Sequence, residues 1–86
     1  MVNLTAGTKA LASRALLSAA DEELARAAYL EMFISIARDE LDAYREEDPN
    51  SPHLYGLEVQ FASVVHAKAL ALHRGGVLRA RAEQIA

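Results

Sequence analysis

The stretch Leu16-Leu17-Ser18-Ala19-Ala20-Asp21-Glu22-Glu23 decides how many helices this chain has. Ser18 followed three residues on by Asp21 has the form of a capping box, and Asp21, Glu22 and Glu23 suit the positive end of a helix dipole. On that reading one helix ends at Leu17 and another begins at Ala19. Against it, no Gly or Pro stands between Leu17 and Asp21. The two segments could therefore fuse into a single helix from Thr8 to Glu47. Such a rod would be about 60 Å long at 1.5 Å per residue. No other segment here could cover it, so it would demand an oligomer. The capping residues favour the break.

Working outward, the first segment spans about 8–17, with Thr8 as N-cap after Gly7. The second spans about 19–47 and stops before Pro49, because the residue preceding a proline is pushed out of the helical region. After the turn Asp48-Pro49-Asn50-Ser51, a third helix over 52–74 has Ser51 as N-cap and Pro52 at its first position. Gly75 offers a left-handed stop, and a short fourth helix over 77–85 follows the Gly75-Gly76 hinge. The expected fold is all-α: one helical domain over 1–86, a small bundle of three to four helices around a central hairpin.

Composition agrees. Eighteen Ala and twelve Leu stand against three Ile and five Val among 86 residues, a balance that favours helix over strand. With no cysteine, disulfides, thiolate metal sites and a cysteine nucleophile are excluded. The segment Met1-Val2-Asn3-Leu4-Thr5 lacks a basic region followed by an apolar run, so no leader is expected. No window is long and apolar enough to span a membrane, and a cytoplasmic protein is expected. Leu, Ile, Val, Phe and Met total only twenty-four. A monomer must use nearly all of them, and self-association is a common remedy at this size.

The faces of the helices sharpen that point. Ala27, Leu30, Ile34, Ala37, Leu41 and Tyr44 alternate by steps of three and four, a heptad seam, with Ala25, Tyr29, Met32, Phe33 and Ile36 beside it. In the third helix Leu54, Leu57, Phe61, Val65, Ala69 and Leu72 form the expected core face. Its opposite side reads Gly56, Gln60, Ser63, Ala67 and Ala71, with only Glu58 and Lys68 charged between Pro52 and Leu72. A helix without a charged face is usually buried on more than one side. A homo-oligomer, a dimer for preference, is expected with Gly56, Gln60, Ser63, His66, Ala67 and Leu70 at its interface. His66 and His73 are one heptad apart, without the three- or four-residue spacing that metal ligands on a helix need. No metal or cofactor is expected.

Charge is unevenly laid out. Net charge is −3, but residues 1–20 carry +2, residues 21–48 carry −7 and residues 49–86 carry +2. The acids gather at Asp39, Glu40, Asp42, Glu46, Glu47 and Asp48, the end of a helix where the dipole disfavours them. These six are the candidate docking patch for a cationic protein surface. Direct nucleic-acid contact through Arg74, Arg79 and Arg81 is not expected, since three positive charges without interleaved aromatics give little counterion release and no stacking platform.

The function expected is thus a non-catalytic helical interaction module that self-associates and docks a cationic partner. An alternative is a small inhibitor, of the kind phages and mobile elements encode, that blocks a nucleic-acid-binding surface. A second alternative is a small metal-dependent all-α hydrolase. Glu22-Glu23 with Asp39 and Asp42 resembles in outline the Glu-Glu-x-x-Glu set of all-α nucleoside-triphosphate pyrophosphohydrolases, which that resemblance would make a magnesium site; position 26, however, is arginine. Ser63 with His66 offers a nucleophile and base on one helix face, but mid-helix, away from any loop that would supply an oxyanion hole.

Overall fold

Two long helices account for the chain in a computed structural model that describes residues 5–86. Residues 1–4, part of the segment over which no leader is expected, lie outside the described residues. Helix α1 runs Ala6–Glu47 and helix α2 runs Leu54–Ile85, joined by a short turn and packed antiparallel along their length. The hairpin measures 63 × 21 × 12 Å. It is not the expected bundle of three to four helices, and the helices placed over 8–17, 19–47, 52–74 and 77–85 merge in pairs.

The break at Ser18 does not occur, for two reasons. The residues around it are good helix formers with no Gly or Pro among them. The buried stripe also keeps phase through it. Ser13, Leu16, Ala20, Glu23, Ala27, Leu30, Ile34, Ala37, Leu41 and Tyr44 are all buried or half-buried, and their steps of three and four never slip. Without a change of phase, nothing gains from a bend. The N-cap is Thr5 rather than Thr8: the Thr8 N–H donates to the Thr5 hydroxyl at 3.2 Å. At the other end the Asp48 N–H donates to the Tyr44 carbonyl at 2.8 Å, closing α1 before Pro49 as expected.

The Gly75-Gly76 hinge is also absent. Neither glycine has a positive φ, and α2 passes straight through. Gly75 is instead a contact point. A Cβ built there would lie 3.3 Å from two carbons of Leu24 and 3.5 Å from the Ala20 carbonyl oxygen. The small residue lets α1 approach. Gly76, one position on, faces open space.

At the turn, Ser51 does not cap a helix begun by Pro52. Its hydroxyl accepts from the His53 N–H at 3.2 Å and its carbonyl from the Leu54 N–H at 3.2 Å, so a tight turn intervenes before α2 begins at Leu54. Ser51 is buried beneath that turn.

The core of α2 also differs from expectation. Leu54, Leu57, Phe61, Val64, Lys68, Ala71, Gly75, Leu78, Ala82 and Ile85 are its buried and half-buried stripe, again at strict three–four steps. Val65, Ala69 and Leu72 lie outside it and are exposed. Both helices therefore present a 3.5-residue repeat to each other, as in an antiparallel coiled coil. Near the turn the seam is built from Ile34, Leu41, Leu57 and Phe61; toward the open end it thins to Ala20, Ala27, Ala71, Gly75 and Ala82.

Candidate functional site

A heptad pair has two flanks, and contacts across the helices assign residues to them. Arg45 pairs with Glu58 at 3.4 Å, Lys68 with Glu31, and Arg79 with Asp21 at 3.7 Å. In an antiparallel pair the position just after one edge of the seam (e) faces its equivalent on the partner helix, and the position before the other edge (g) does likewise. The three ion pairs, with Arg38 over the Phe61 ring at 5.8 Å, all fall on the first flank. There Glu31 is held below its ordinary value by the hydrogen bond and charge of Lys68, with a smaller contribution from Arg38. Val65 and Leu72 lie on this flank one turn to either side of Lys68.

The second flank has no such cross-helix ion pair among the described residues. Tyr29, Phe33 and Ile36 of α1 form its middle, exposed by 60%, 44% and 60%, with Met32 beside them. Tyr29 and Phe33 meet edge to face with centroids 5.0 Å apart. From α2 the same flank takes Gly56, Gln60, Ser63, Ala67 and Leu70, five of the six residues expected at an oligomer interface. Ala67 is half-buried against α1, and the other four are exposed. Ala71, placed on that side by the sequence reading, is buried in the seam. His66 lies on the outward face of α2, exposed, one heptad from His73.

Charge divides the rod lengthwise. The half nearer the turn, residues 28–67, holds eight acids against Arg38 and Arg45. The open half holds seven bases against Asp21, Glu22, Glu23 and Glu83. Asp39, Glu40, Asp42, Glu46, Glu47 and Asp48 are all exposed; among the described residues only Asp42 of these six has an ion-pair partner, Arg45 at 3.7 Å on the next turn. On the second flank, toward the open end, Arg74, Val77 and Arg81 line a shallow hollow of about 380 Å³ with Glu23. Glu23 sits at a seam position. One of its carboxylate oxygens is buried without a partner, while the other lies 3.8 Å from Arg26.

The chemistry-bearing residues of the sequence are not brought together. Glu22 and Asp39 share one continuous helix, about 25 Å apart along its axis. Among the described residues no three His, Asp or Glu side chains approach closely enough to hold a metal ion. The Ser63 hydroxyl donates to the Val59 carbonyl at 2.9 Å within its own helix. No helix among the described residues is long and apolar enough to cross a membrane. No protein-family model matches the sequence, and no curated protein or solved structure is detectably similar to it.

Proposed function

We propose that this chain is a non-catalytic helical interaction module that works as a self-associated unit and offers its acidic turn end to a cationic protein surface. The observation that carries the reading is the surface the hairpin leaves uncovered. Its accessible area is 6367 Å², against about 5,000 Å² for a compact chain of this mass. Its radius of gyration is 19.4 Å, against about 12 Å for a globular domain of this length. The excess area, about 1,400 Å², exceeds the roughly 800 Å² that each partner gives up in a standard interface. Tyr29, Phe33 and Ile36 supply the apolar centre that such an interface needs.

The acidic end supports the second half of the reading. Anions at a helix C-terminus cost a few tenths to about 1 kcal/mol each, and a cationic surface would offset that cost. Sedimentation equilibrium over a range of concentrations tests self-association: a mass of at least twice 9.3 kDa is expected, and a 9.3 kDa species throughout overturns it. Docking is tested by titrating a lysine-rich peptide and following backbone amide resonances. Shifts confined to residues 39–48 are expected, and shifts spread evenly over both ends contradict the assignment.

A further inference from the structure

Resting on the self-association reading, we infer that the partner on the second flank is another copy of this chain, laid antiparallel, so that two hairpins form a four-helix bundle about a two-fold axis through the Tyr29–Ile36 patch. The argument is the order of charges along that flank. Toward the turn, Glu40 lies about 11 Å from the patch centre and Glu47 about 22 Å at 1.5 Å per residue. Toward the open end, Arg26 lies about 10 Å out, with Glu22 as an acid on the same side about 16 Å out. The Leu24–Gly75 contact and the Ser13 hydroxyl bonded to the Ala82 carbonyl fix the level of α2 against α1. They put Arg74 about 11–17 Å out and Arg81 about 22–28 Å out.

Rotation by 180° about the patch therefore brings Glu40 of each copy to the level of the other's Arg26 and Arg74, and Glu47 to that of Arg81. The side chains of Glu40, Glu47, Arg74 and Arg81 make no ion pair within the chain among the described residues. A parallel arrangement would put Glu40 and Glu47 of both copies at one end and Arg74 and Arg81 of both at the other, and gathering like charges at the same level is unfavourable. A closed two-fold pair buries the same patch on both copies and leaves neither exposed. Asp39, Asp42 and Glu46 point away from this flank, so the dimer keeps an acidic surface at each end.

The chain has no cysteine, so a single Glu46→Cys on the outward face carries one nitroxide label per copy. Pulsed electron spin resonance should then give an inter-label distance of about 40 Å, twice the axial separation of residue 46 from the patch centre. A distance of about 30 Å or less, as expected for outward labels on diagonal helices packed about 10 Å from their neighbours, means a parallel dimer and overturns the antiparallel arrangement while leaving self-association intact. No dipolar coupling, together with a 9.3 kDa mass, overturns both. A second experiment uses charge reversal. Glu40→Lys/Glu47→Lys and Arg74→Glu/Arg81→Glu should each weaken the homodimer at least tenfold. Mixed, the two variants should pair with each other at least tenfold more tightly than either pairs with itself, short of the unaltered chain because the lysine of Glu40→Lys still meets Arg26 of the other copy. Failure of the mixture to restore dimerisation overturns the register.

Discussion

On one flank of the hairpin Arg45 reaches Glu58, Lys68 reaches Glu31 and Arg79 reaches Asp21. On the other, Tyr29, Phe33 and Ile36 meet solvent, flanked by charges that form no cross-helix ion pair among the described residues. The same two helices build both. The first flank joins the helices by three ion pairs, and its exposed Val65 and Leu72 are interrupted by the Lys68–Glu31 pair. The second keeps its apolar residues contiguous and its charges at the margins, the layout of an interface core with a polar rim. A flank that closes on itself has no need of a partner, whereas a flank left open in this order has the features of half an interface.

The largest expected effect separates the seam from the open flank with one residue type. Ile34 is 4% exposed and Ile36 is 60% exposed, two positions apart. Ile34→Ala should cost about 2–4 kcal/mol in chemical denaturation, the loss of a buried side chain plus a cavity. Ile36→Ala should leave the fold of one hairpin nearly unchanged and raise the dimer dissociation constant about tenfold, by sedimentation equilibrium.

The adjacent glycines give a smaller contrast, with opposite signs. Gly75→Val must displace Leu24 and crowd the Ala20 carbonyl, which should destabilise by about 1–3 kcal/mol. Gly76→Ala meets nothing and should stabilise by about 0.5–1 kcal/mol, since alanine replaces the most flexible residue in a helix interior. Calorimetric melting of the two variants checks both signs.

Seam residues were legible in the sequence where they are large and apolar. Ala27 through Tyr44 show the heptad directly. Upstream the seam continues through Ser13, Ala20 and Glu23, whose side chains announce nothing about burial, so the continuity that forbids a break at Ser18 was hidden. In α2 the reading slid from Phe61 to Val65, Ala69 and Leu72, because a 3.6-residue step drifts off a 3.5-residue repeat. The true stripe turns instead through Val64, Lys68, Ala71 and Gly75, where a lysine and a glycine interrupt the apolar signal. Lys68 fits a seam position because its stem packs while its ammonium reaches Glu31. The acidic cluster was legible in full, since charge needs no tertiary context. Its division between the two flanks was not, because that depends on the register of α2 against α1.

Smaller effects probe the charged positions. Glu46→Lys, on the outward face, replaces an anion at a helix C-terminus with a cation and should stabilise by a few tenths to about 1 kcal/mol, with no change in mass. Glu31 tests the closed flank through pH. Its folded value is depressed below the ordinary 4.5 by Lys68, so its contribution to stability is present above that value and lost as pH falls through the folded one. Melting temperature should therefore decline with acidification below about pH 4.5 less steeply in Glu31→Gln than in the unaltered chain.

Light scattering after size exclusion on three chains tests the contrast between the flanks most directly. The unaltered chain and Val65→Glu/Leu72→Glu, which alters only the closed flank, should both elute at about 18.6 kDa, twice 9.3 kDa. Phe33→Glu/Ile36→Glu, which alters only the open flank, should elute at 9.3 kDa with its helical circular dichroism retained. A 9.3 kDa mass for the unaltered chain, or loss of the dimer in the closed-flank variant alone, would contradict the account.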